Sequence, residues 1–201
     1  MRMTVFDRVP LLLTGLLAAY QIVVGIDGLA SLPITAYTIA FGVLLVAGLL
    51  LIILGFDVLD SPTVVIVSTV IPLSLSLGLV WQHLLAYRIA YLVFAVLGFL
   101  AVMVTRLIPM RNRRPVIVLA VVHGIAGLTI TLLPILWAIS GRSPVGFAWV
   151  GVGGALIGLG GLLLSLLKTG RPLLSRATIL KLLPGLLLLM TAAFVAGFRS
   201  G

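Results

Sequence analysis

The sequence predicts an all-α polytopic membrane protein with seven transmembrane helices, and three observations carry that prediction. Of its 201 residues, 62% are apolar and 8% are charged, whereas about a quarter of the residues of a soluble domain are charged. Apolar runs of spanning length, about 20 residues, recur along the whole chain and are bounded by Pro, Gly and charge. Lys and Arg collect between those runs, and the only acidic residues are Asp7, Asp27, Asp57 and Asp60. Seven spans use about 140 positions, so 1–201 is read as a single membrane domain with no room for a water-soluble one.

The spans are expected in order as follows. The first, 9–29, follows Met1–Arg8, which looks like the charged end of a signal peptide; its apolar run exceeds the usual 7–15 residues of such peptides, so it is read as a retained span. The second, 34–55, starts after Pro33 and stops at Gly55, and the third, 62–81, opens on Pro62, where a missing N–H costs nothing. Only Trp81-Gln-His83 separates it from the fourth, 84–106, so that hairpin turns within the headgroup zone with Trp81, Tyr87 and Tyr91 as interfacial anchors. The fifth, 115–139, opens on Pro115; the sixth is 145–167 and the seventh 178–198.

Orientation follows from Lys and Arg. With the N-terminus inside, the inner segments hold Arg2, Arg8, Arg106, Arg111, Arg113, Arg114, Lys168, Arg171, Arg176 and Lys181, and the outer ones hold only Arg88, Arg142 and Arg199. The chain is therefore read as N-inside and C-outside, a multi-pass protein of the cell membrane. The net charge of +9 belongs to this bias and to anionic headgroups, not to nucleic acid. The basic stretches Met110–Pro115 and Lys168–Arg176 serve as topology signals, with lipid or partner docking as the sharper alternative.

Proline spacing suggests an internal repeat. Pro10, Pro33, Pro62 and Pro72 map onto Pro115, Pro144, Pro172 and Pro184 at offsets of 105, 111, 110 and 112, and Gly48 maps onto Gly158 at 110. Pro72 and Pro184 fall inside spans, where each should kink its helix and free a carbonyl one turn earlier. Units 9–81 and 115–198, joined by helix 84–106, would be parallel repeats in a 3+1+3 plan. That plan is similar to the architecture of SWEET-type sugar carriers, whose substrate sites lie near the midplane between repeats. The Pro-Gln dipeptide of PQ-loop carriers is missing, since Leu73 follows Pro72 and Gly185 follows Pro184.

Catalytic chemistry finds little material. Cysteine is absent, which removes disulfides, thiolate nucleophiles and thiolate metal sites. Asp57 and Asp60 lie three apart at a helix end, where they either solvate a loop and cap the next helix or ligate a divalent cation. His83 is expected at the outer face and His123 about 12 Å inward from the inner edge at 1.5 Å per residue, so the two cannot clamp one cofactor; neither cofactor nor metal is expected. Gly-x-Ser-x-Gly is missing, and Lys181 is too near a span end for a retinal-type site. Two polar clusters remain: an outer one of Asp27, His83 and Arg88, with an Asp27–Arg88 pair, and an interior one of Tyr20, Gln21 and His123, expected to meet near mid-membrane.

The run Gly151–Gly161 holds six glycines in eleven residues. It is no dinucleotide fingerprint, because Leu156 stands where Gly-x-Gly-x-x-Gly needs its last glycine and no strand precedes it. Gly151, Gly154, Gly158, Gly161 and Ser165 instead recur in steps of 3 and 4 on one helix face, as close helix packing in lipid requires. The second span keeps only Gly48 and Gly55 of such a stripe, alongside Phe41, Leu44 and Leu51.

These features point to a non-enzymatic accessory or scaffold subunit of a larger membrane complex, bound to lipids and to other subunits or itself through the sixth span. The alternative is a small-solute transporter of SWEET-like 3+1+3 architecture. The natural lack of cysteine makes the orientation directly measurable: with single cysteines in an intact cell, Ser143→Cys should react with a membrane-impermeant maleimide and Asn112→Cys should not; the reverse pattern would invert the topology.

Overall fold

The computed structural model describes residues 3–26, 29–108, 113–168 and 173–200, apart from the side chains of Ser165 and Lys168. Those residues form seven α-helices, each long and apolar enough to cross a membrane: α1 (Val5–Val24), α2 (Ser31–Leu54), α3 (Pro62–His83), α4 (Arg88–Leu107), α5 (Arg114–Ile139), α6 (Ala148–Lys168) and α7 (Arg176–Arg199). Short 3-10 turns at Phe56–Asp60, Leu85–Tyr87 and Val145–Phe147 lead into α3, α4 and α6. The chain is a multi-pass helical membrane protein.

Helix ends follow local chemistry, and several differ from expectation. α1 begins four residues early because the Asp7 carboxylate accepts hydrogen bonds from the Thr4 N–H at 2.7 Å and the Thr4 hydroxyl at 2.8 Å, a capping interaction that satisfies otherwise orphaned groups. Asp7 is accordingly buried rather than solvated, and Pro10 lies inside the helix, not at its start. Gly25, at φ +70°, ends α1 through its N–H to Gln21 O, and Gly55, at φ +77°, ends α2 in the same way. α3 opens on Pro62 and runs through Trp81-Gln82-His83; the turn falls on Leu84–Tyr87 instead. α3 and α7 stay continuous through the buried Pro72 and Pro184.

Helix neighbours define a ring. α1 packs on α2, α2 on α3, α3 on α5, α5 on α6, α6 on α7, and α7 closes onto α1, while α4 lies outside against α3 and α5. Burial agrees: 56% of the spanning window of α3 and 50% of that of α7 are buried, against 17% for α4. The ring is filled by apolar side chains, among them Tyr37, Phe41, Leu75, Leu79, Ile130, Met190, Phe194 and Phe198.

Small residues set how closely the ring closes. A Cβ added to Gly151 would lie 2.5 Å from Thr131 O, and one at Gly154 would lie 2.9 Å from Thr131 N, so α5 and α6 nearly touch backbones. On another side of α6, a Cβ at Gly153 would meet the Phe194 ring at 2.5 Å, and reciprocally one at Gly197 of α7 would meet Val150 N at 2.5 Å. Gly48 faces Leu11 O and Gly15 N of α1, and Gly98 of α4 receives Val122 of α5. Of the expected stripe, α5 fills Gly151 and Gly154, whereas a Cβ at Gly158 or Gly161 would have no neighbour within 4 Å among the described residues; Ser165's side chain lies outside the described residues. Gly154→Ala should cost about 1–3 kcal/mol, as overpacking does, read as a lower midpoint of thermal unfolding in detergent; an unchanged midpoint would show that α5 and α6 separate freely.

Candidate functional site

The most developed polar site lies where α1 ends and α2 begins. Because α1 ends at Val24 and not at residue 29, Tyr20 and Gln21 fall near its C-terminal end and not near mid-span. Gln21 is 3% exposed; its Nε2 donates to Gly25 O at 3.0 Å, which fixes the amide orientation and leaves Oε1 buried with no hydrogen-bond partner among the described residues. Oε1 belongs to a residue lining a cavity of about 10 Å³ together with Gly25, Ile34, Tyr37, Thr38 and Phe41, room for one water-sized group.

Tyr37 ties this site to α3. Its hydroxyl donates to Gln82 Oε1 at 3.3 Å, and its ring lies directly over Gly78, where any Cβ would clash with it. The Phe198 ring of α7 packs on its other side at 4.6 Å between centroids. Gly78 thus makes the slot, Tyr37 fills it, and Gln82 receives the hydroxyl one turn further along α3. Sequence reading missed this trio; the one signal for it is a glycine and a glutamine four apart on the end of an apolar helix.

The same end of the bundle carries an aromatic and cationic belt. Arg88 stacks on Trp81 at 5.5 Å, Arg142 on Trp137 at 5.1 Å and Arg199 on Tyr20 at 5.6 Å. Arg88 Nε also donates to Trp81 O at 2.5 Å, and Arg199 donates to the Tyr20 hydroxyl. These are the three cations that the charge count assigns to the outer side, and each is held by the π-face of an aromatic residue. The expected Asp27–Arg88 pair cannot be placed, because Asp27 lies outside the described residues. Tyr91, one turn into α4, donates its hydroxyl to Thr129 Oγ1 of α5 at 3.3 Å and so joins the two helices.

The other expected meeting does not occur. Gln21 is on α1, which packs on α2 and α7, whereas His123 is on α5, which packs on α3, α4 and α6. His123 sits half-buried, within electrostatic range of Arg106 on α4. His83 packs against Phe147 at 5.1 Å and Trp137 at 6.1 Å, far from His123 along the bundle. Among the described residues no group of three or more His, Asp or Glu converges as a metal site.

At the opposite end, Asp57 and Asp60 fall in the 3-10 turn before α3. Asp60 neither caps α3 nor joins Asp57; its Oδ2 accepts from Arg176 Nη2 at 2.8 Å, pinning that turn to the start of α7. Much of the basic surface expected here, Met110–Asn112 and Thr169–Pro172, lies outside the described residues. No protein family, curated protein or solved structure matches this chain.

The site's residues donate and accept hydrogen bonds; they supply no nucleophile paired with a base. If Tyr37 and Gln82 act as one unit, Tyr37→Phe should destabilise the protein by about 0.5–1.5 kcal/mol. Adding Gln82→Leu should then cost less than it does alone; fully additive unfolding midpoints would show that the bond contributes nothing.

Proposed function

We propose that this protein is a non-catalytic subunit of a larger assembly in the cell membrane, oriented N-inside, and that the half of α6 beyond Gly154 docks a helix of another subunit. The observation that carries this reading is the divided glycine face. Gly151 and Gly154 are filled by α5, while Gly158 and Gly161, one and two turns further on, meet nothing within 4 Å among the described residues. Glycine on a lipid-facing surface contributes neither side-chain packing nor helix propensity, but it lets a second backbone approach closely. The filled interior adds support, since the ring's centre is occupied by Phe, Leu and Ile side chains and not by a polar pathway.

A second reading, a small-solute carrier built from a 3+1+3 repeat, draws on one observation. Exchanging α1, α2 and α3 with α5, α6 and α7 leaves the contacts of the ring itself unchanged, with α3–α5 replacing α7–α1, while α4 packs outside it on α3 and α5. The equivalent prolines, Pro72 and Pro184, are buried in the two most buried helices. Against it, Gln21 and His123 do not assemble a midplane site, so transport would need a different conformation.

Purification in mild detergent followed by native mass measurement separates the two. The subunit reading expects a stable complex with other chains, lost in Gly158→Leu while the isolated chain unfolds within about 0.5 kcal/mol of the wild type. A clean monomer from the native membrane would sink the subunit reading.

A further inference from the structure

The end of the bundle that carries the N-terminus has a groove between the turn before α3, the end of α6 and the start of α7. It holds about 150 Å³, the size of an apolar cavity that accepts a benzene-sized ligand. Phe56, Leu59, Leu164, Leu167 and Leu180 wall it, and Asp60 and Arg176 stand at its lip. Because all three elements are span ends, the groove sits where hydrocarbon gives way to headgroups.

We propose that this groove binds a zwitterionic phospholipid with a primary ammonium headgroup, a phosphatidylethanolamine. Two features select it. The leucine walls accept the first few methylenes of one acyl chain, which gain by burial as any methylene does. The lip presents a cation and an anion 2.8 Å apart, both more than half exposed at 55% and 56%. That pair uses one guanidinium nitrogen and one carboxylate oxygen, so Arg176 keeps N–H groups for a phosphate and Asp60 keeps an oxygen for an ammonium. A phosphate joined to an ammonium matches both charges at once. An anionic glycerol headgroup meets the Asp60 carboxylate unfavourably, and a choline headgroup has no N–H to give it. The binding does not depend on the subunit docking proposed for α6, since the groove lies within one chain.

Native mass spectrometry of the purified protein with equal amounts of phosphatidylethanolamine, phosphatidylcholine and phosphatidylglycerol tests this on the single-chain peak. The wild type should retain phosphatidylethanolamine about three- to fivefold over either competitor, the range that one exposed charge contact supports. Asp60→Asn should erase the preference over phosphatidylcholine, Arg176→Gln should lower retention of all three, and Leu167→Trp should do the same by filling the groove while leaving the ion pair. Equal retention of the three lipids by the wild type would overturn the proposal. So would a preference for phosphatidylglycerol, or a phosphatidylethanolamine preference that survives Asp60→Asn.

Discussion

Close backbone approach at glycine is the interaction on which the rest of this bundle depends. In a bilayer two apolar helices gain nothing by hiding from lipid, so their association rests on van der Waals contact and on how near the backbones come. Here each glycine contact takes a specific neighbour: Gly78 takes the Tyr37 ring, Gly153 takes Phe194, Gly197 takes Val150, and Gly48 faces the α1 backbone. The large aromatic residues that fill the ring reach their places because a partner helix has removed a side chain opposite them. Tyr37 shows the coupling best, since its hydroxyl reaches Gln82 only because Gly78 lets the ring lie flat against α3.

The polar groups divide into two kinds. The fully buried hydroxyls are satisfied within their own helices: Thr14 donates to Pro10 O, Thr69 to Val65 O, Ser76 to Pro72 O and Thr191 to Leu187 O. Such back-bonding to the preceding turn satisfies them locally, and the Tyr91 hydroxyl of α4 adds a polar link to Thr129, well inside α5. Other links between helices lie toward the ends, through Tyr37 and Gln82, Arg199 and Tyr20, and Asp60 and Arg176. The interior sets the shape, and the ends carry the specificity.

Fold class and span count were legible because burial in lipid demands long apolar runs, and composition reports those directly. Boundaries were legible where Pro or Gly marks them, as at Pro62 and Gly55, and failed at α1, where Thr4 and Asp7 form a cap that hydropathy does not register. The span also stops at Gly25 and not at residue 29, and that earlier end moves Gln21 from mid-span to the last turn. The glycine stripe was visible as a periodicity, but periodicity cannot say which stretch of a face is covered by a neighbour. Nor could it show that α6 is packed on two sides, since Gly153 lies off the stripe. Cation and aromatic pairs such as Arg142 on Trp137 depend on rotamers that spacing leaves open.

The contact between α1 and α7 has a consequence for biosynthesis. Helices enter a membrane in chain order, and every other ring neighbour pair joins helices adjacent in sequence or separated by α4 alone. The ring therefore exists as an open arc for as long as α7 is missing, with the inward side of α1 turned toward lipid. Closure must wait for the last helix and brings residues as distant as Tyr20 and Arg199 together, a contact between segments of the widest sequence separation and hence of slow formation. Until then the flank of α1 that faces α7 has no helix to pack on, so the order of synthesis sets the earliest moment at which the ring can close.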